Sequence, residues 1–64
     1  MTLEEKIRLI RSSLRMSQRE FAKEIGCSQV MISSYERGIK RPSYETLILI
    51  DQTAKKFKVK VKLL

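Results

Sequence analysis

The sequence predicts a compact all-α bundle of four to five short helices in a single domain, residues 1–64. Apolar residues recur at three- and four-residue intervals in four successive blocks, and a Ser or Thr able to cap a helix start precedes each block. A chain of 64 residues has room for one core. At this length only about 60% of the unfolded surface leaves water on folding, so the stability is modest.

Thr2 followed by Glu5 reads as a capping box, in which the hydroxyl accepts from the third helical N–H and the carboxylate reaches back to the cap. Leu3, Ile7, Ile10 and Leu14 then mark one apolar face of a first helix ending near Ser13 or Leu14. Ser17 and Glu20 repeat the box, with Met16 and Phe21 at the two staple positions. Phe21, Ala22 and Ile25 form the inward face of this second helix, and Gly26 ends it.

Ser28 caps a third helix running from about Gln29 to Arg37 and carrying Val30, Met31, Ile32 and Tyr35, with Gly38 as its stop. Ile39-Lys40-Arg41-Pro42 is a short basic loop. Ser43 then caps a fourth helix whose Tyr44, Leu47, Ile50, Ala54 and Phe57 are spaced for burial. In the tail, residues 57–64, the period changes. Phe57, Val59, Val61 and Leu63 alternate with lysines, the pattern of a strand with one apolar and one cationic face.

Fourteen Lys and Arg against seven Asp and Glu give a net charge of +7, which implies an anionic partner or an exposed basic face; nucleic acid and an acidic membrane surface are both candidate partners. One cysteine and no histidine exclude a disulfide within the chain, His-metal sites and every Ser-His or Cys-His nucleophile pair. The carboxylates cap helices or face arginines, so no catalytic residues, metal or cofactor are expected and no enzyme is. Cys27 reads as a buried, inert thiol, without a second cysteine to support a redox switch. The N-terminal stretch is acidic where a signal peptide is basic, and no apolar run approaches the roughly 18 residues of a membrane span. A cytoplasmic, nucleoid-associated protein is the expectation.

Two short helices crossing through a tight turn require a small residue at the crossing, a left-handed backbone at the turn and apolar inner faces. Residues 18–37 meet those needs. The stretch Leu14–Tyr44 resembles the Cro/repressor-type, lambda repressor-like helix-turn-helix family. The resemblance is carried by Met16-Ser17-Gln18, Phe21-Ala22, Ile25-Gly26-Cys27-Ser28-Gln29, Ile32-Ser33, Tyr35-Glu36-Arg37-Gly38 and Arg41-Pro42-Ser43.

The resemblance implies that the second helix braces on the DNA backbone and the third lies in the major groove. Its outward residues Ser28, Gln29, Val30, Ser33 and Ser34 would then meet base edges. Gln29 is the best equipped, because a carboxamide donates and accepts together on adenine, while Val30 suits a thymine methyl. The same resemblance places Ser17 and Gln18 on phosphates at one flank and Lys40 and Arg41 at the other. It also pairs Arg11 with Glu36 to fix the third helix. The plainer alternatives are an ordinary polar helix surface for the five readers and two independently solvated charges for Arg11 and Glu36. Tyr35 is expected in the core. Tyr44 is expected to cover the end of the fourth helix with its hydroxyl in water.

The function so implied is sequence-specific regulation of transcription by a small repressor or Cro-like protein, acting as a dimer on a double-stranded operator. The alternative is an antitoxin-type module that binds a protein partner and represses its own operon. Where the family continues after a glycine into a fifth helix, this chain has no glycine and a two-residue period. One expectation is an edge strand, with Phe57, Val59, Val61 and Leu63 inward, pairing antiparallel with a second copy. The other is a frayed or helical extension with solvated lysines. Membrane attachment through the tail ranks low, since its apolar face is too short for stable anchoring.

Overall fold

A computed structural model of the chain describes residues 1–64 and contains four helices: α1 Leu3–Ser13, α2 Gln18–Ile25, α3 Gln29–Glu36 and α4 Tyr44–Lys56. Each begins at a hydroxyl. Thr2 and Ser17 close complete capping boxes with Glu5 and Glu20, and the Ser28 and Ser43 side chains accept from Met31 N and Thr46 N. Each such cap satisfies one of the donors that a helix start leaves over and contributes about 1 kcal/mol.

The four helices also end alike. A residue just past each one adopts left-handed backbone: Arg15 (φ 57°), Gly26 (φ 91°), Gly38 (φ 73°) and Lys58 (φ 61°). The amide that follows reaches back five residues, in the bonds Met16 N to Arg11 O, Cys27 N to Ala22 O, Ile39 N to Ser34 O and Val59 N to Ala54 O, at 2.8–3.3 Å. This is the Schellman closure, which turns the chain sharply while satisfying a terminal carbonyl. Only two of the four turns use glycine.

α2 packs on α3 and α4, and α1 packs on α3. Ile7 and Ile10 of α1, Phe21, Ala22 and Ile25 of α2, Ile32 and Tyr35 of α3 and Ile50 and Ala54 of α4 form one core. Phe21, fully buried, alone contributes about 1.5–3 kcal/mol of apolar burial. Leu3, Leu14, Met16, Cys27 and Met31 pack against that core from its rim. Pro42 is buried ahead of α4.

The structure corrects two expectations for α4 and one for the tail. Tyr44 is 65% exposed and Phe57 46% exposed, so neither belongs to the buried stripe. Phe57 is the last residue before the left-handed turn at Lys58, and the turn swings its ring outward, where Lys56 Nζ lies 5.4 Å from the ring centroid. The tail forms neither a strand nor a fifth helix. It runs extended beside α4 with Val59, Val61 and Leu63 against the core and the intervening lysines exposed. Asp51 of α4 holds its end, accepting from Leu63 N at 2.7 Å and Leu64 N at 3.1 Å. The alternation therefore sets which side chains face inward, but with no neighbouring chain segment to bond there is no ladder.

Candidate nucleic-acid interface

The turn between α2 and α3 is built on one carbonyl. Ala22 O accepts from both Gly26 N (2.8 Å) and Cys27 N (2.9 Å), closing α2 while Gly26 redirects the chain. Ser28 then starts α3 at once. Cys27 lies half-buried rather than fully buried in this turn, and the partial burial raises its thiol pKa above the ordinary value, favouring the neutral thiol.

The outward N-terminal end of α3 is uncharged. Gln29 is exposed and Val30 is 74% exposed, with Ser28 exposed beside them at the cap. The Ser28 hydroxyl accepts from Met31 N at 3.2 Å, which orients it and leaves its proton free to donate. Ser33 and Ser34, one turn further on, are half-buried, and Ser34 O receives the amides of Ile39 and Lys40. The reachable set is thus graded, with polar Gln29 and apolar Val30 foremost.

The opposite end of α3 is held by Glu36, which is 3% exposed. Its carboxylate accepts from Arg11 Nε at 2.6 Å, Arg11 Nη2 at 3.0 Å and Gln18 Nε2 at 3.1 Å. The arginine fork thus meets both carboxylate oxygens, and Arg11 Nη1 also donates to Met16 O at 3.0 Å. The hydrogen bond to Glu36 raises the Arg11 pKa further, fixing its charge. The Arg8 guanidinium donates to the Glu36 carbonyl, closing the last turn of α3. Glu4 completes the row: a Cβ on Gly38 would stand 2.6 Å from Glu4 Oε2, so the carboxylate of α1 abuts the turn after α3.

The structure therefore brings Arg11 and Glu36 together and draws Gln18 in with them. The Gln18 side chain is half-buried and committed to Glu36. At the start of α2, Ser17 is occupied by its capping box, its hydroxyl accepting from Glu20 N at 3.0 Å and its amide donating to Glu20 Oε1 at 2.8 Å. The backbone amides of Gln18 and Arg19 take no acceptor within the chain and form the positive end of α2. Lys40 and Arg41 are exposed on the loop after α3, around a small hollow of about 180 Å3 that Glu4 and Pro42 help to line.

A family model described as helix-turn-helix, of the Cro/C1 type, matches residues 7–57. The chain belongs to that family. It is a DNA-binding, non-enzymatic one, and the chain is accordingly a DNA-binding helix-turn-helix protein. Comparison with curated proteins and with solved structures gives no match. No helix is long and apolar enough to cross a membrane.

Within this helix-turn-helix domain, α1 holds the C-terminal end of α3 with Arg8 and Arg11 and sets Glu4 against the turn that follows; Glu4, Arg8 and Arg11 sit at positions i, i+4 and i+7 and so share one face. Sequence reasoning isolated Arg11 alone. The charged row at helical spacing was the signal for the other two. The family match ends at Phe57 and leaves out the extended tail.

Proposed function

We propose that this protein is a sequence-specific transcriptional regulator, a small repressor or Cro-like protein that acts as a dimer on operator DNA and reads base edges in the major groove with α3. The observation that supports this most directly is the asymmetry of α3. Its uncharged N-terminal end, Gln29 and Val30, projects into solvent, while Glu36 at the other end is bonded to both α1 and α2. An exposed face without charge is ill suited to phosphate but suited to base edges. Gln29 supplies the paired donor and acceptor for adenine, Val30 the contact for a thymine methyl, and Ser28, Ser33 and Ser34 secondary hydrogen bonds. Phosphates fall to the flanks: the amide end of α2 beside Ser17 and Gln18 on one side, Lys40 and Arg41 on the other.

A dimer follows from energetics. If each copy neutralises about four phosphates, two copies give a salt slope near −7, against half that for one. The test is selection of bound duplexes from a random library, first with the parent and then with Gln29→Ala. The expected yield is a two-fold site whose half-sites lie about one helical turn apart. Gln29→Ala should flatten the preference at one base pair by about 1–3 kcal/mol. Recovery of no enriched sequence, or an unchanged preference in Gln29→Ala, would refute the assignment of α3 as reader.

A further inference from the structure

An apolar opening lies away from α3, between the outer side of α4 and the extended tail. It is a groove of about 690 Å3, and its apolar floor is Ile48, Val59, Val61 and Leu64. Lys55, Lys58, Lys60 and Lys62 stand along its walls. Asp51 is the one acidic residue lining it, and Leu63 N and Leu64 N already occupy both of its oxygens.

The tail beside this groove has an unused backbone. The amides of Lys60, Val61 and Lys62 have no acceptor within the chain, and no carbonyl from Lys58 onward accepts a bond. Asp51 nevertheless fixes the segment in place, so a strand adding to it meets an edge that is already ordered and loses little entropy there.

Charge decides which strand fits. Residues directly opposite in an antiparallel pair share a face. A tail paired with its own copy, with Val59, Val61 and Leu63 kept against each core, must therefore set even-numbered residues against even-numbered ones. In every such register that pairs five or more residues of each tail, at least one of Lys60 and Lys62 faces a lysine of the copy, with Cβ atoms about 4.5–5.5 Å apart, and like charges so placed are destabilising. A strand carrying carboxylates at those positions converts each repulsion into a pairing. A nucleic-acid backbone would meet the lysines and amides but leave the apolar floor uncovered.

We propose that the groove between α4 and the tail receives an extended segment of another protein, one that alternates acidic and apolar residues and adds as a strand along Val59–Leu64. This site is independent of the base-reading assignment for α3, and the two succeed or fail separately.

The test uses the full chain, isotope-labelled, with three dye-labelled ten-residue peptides alternating Glu with Val, Glu with Ser, and Lys with Val. The Glu-Val peptide should bind at least about tenfold more tightly than either of the others, since only it satisfies both the lysines and the apolar floor. Its amide shift changes should centre on Lys60–Lys62 and on α4 from Ile48 to Lys55. Lys60→Glu with Lys62→Glu, both exposed, should leave the fold intact and reverse the ranking of Glu-Val against Lys-Val. Equal binding of Glu-Ser and Glu-Val, or displacement of Glu-Val by random duplex at the same amides, would show an unspecific anion surface and overturn the proposal. Shift changes confined to α2 and α3 would overturn it too, as would sedimentation of the chain alone as a dimer with its tail amides protected.

Discussion

Replacing Glu36 by Gln removes one charge and almost no volume, so it separates the clasp on α3 from packing. The carboxylate accepts from Arg11 Nε on one oxygen and from Arg11 Nη2 and Gln18 Nε2 on the other. A carboxamide has a single oxygen, and every group facing it is a donor. In one orientation it keeps Nη2 and Gln18 and turns its NH2 against Arg11 Nε; in the other it keeps Nε alone. At least one charge-assisted bond is lost, about 1.5–3 kcal/mol, and a donor then opposes a donor. Arg11 is 23% exposed and recovers part of its hydration, which holds the total to about 2–3 kcal/mol.

For a domain of this length, with total stability of about 3–10 kcal/mol, that loss lowers the melting temperature by about 8–20 °C. Urea unfolding followed by helical circular dichroism should show a lower midpoint with an unchanged slope. Arg11→Met added to Glu36→Gln should cost less than the sum of the two single changes, with a coupling of about 1.5 kcal/mol or more, because each single variant leaves the other charge unpaired, Glu36 buried and Arg11 partly so. A Glu36→Gln midpoint within about 0.5 kcal/mol of the parent, or strict additivity in the pair, would refute the clasp.

Three further outcomes are expected. Lys40→Ala should weaken binding to all duplex sequences alike and reduce the salt slope by about one; a sequence-dependent loss would instead make Lys40 a reader. Gly26→Ala meets no heavy atom within 4 Å, so its cost of about 1–2 kcal/mol is backbone strain alone. Gly38→Ala adds the collision with Glu4, and Glu4→Ala should relieve that part in Gly38→Ala while giving no relief to Gly26→Ala, as chemical denaturation would report. The bonds from Thr2 and Ser17 hold the Glu5 and Glu20 pKa values below the ordinary 4.5. A depressed folded pKa contributes stability above the unfolded value and loses it as pH falls through the folded one, so stability should hold above pH 4.5 and decline below it. Glu5→Gln with Glu20→Gln removes the two titrating groups, whose main contacts are the backbone amides of Thr2 and Ser17, and should flatten that decline; an identical acid profile would mean other groups govern it.

The helix starts were legible because each is a local event: a hydroxyl at the cap and, at Glu5 and Glu20, a carboxylate three residues on. The ends were legible only where glycine marks them. Arg15 and Lys58 take the same left-handed backbone with an ordinary side chain, and no composition rule flags them. Missing the turn at Lys58 also misplaced Phe57, which periodicity put inside and the turn puts outside. The tail's alternation correctly told inward from outward residues from Val59 onward. It did not disclose that Asp51, twelve residues away, anchors the segment, nor that the edge lacks a partner, since both depend on contacts distant in sequence. Gln18 belongs to the same class: its hydrogen bond to Glu36, eighteen residues on, depends on a contact distant in sequence.

The hydrogen bonds that hold α3 are unevenly placed. The side-chain hydrogen bonds from α1 and α2 all fall at Glu36, seven residues from the exposed Gln29. Exchanging Gln29 or Val30 disturbs no internal side-chain hydrogen bond and almost no buried surface, so on the proposed role of α3 binding preference can drift while the fold is untouched. Such a separation is what lets a lineage acquire new targets by one or two changes without passing through an unfolded intermediate, and it makes these two positions the natural place to begin a library that retargets the domain.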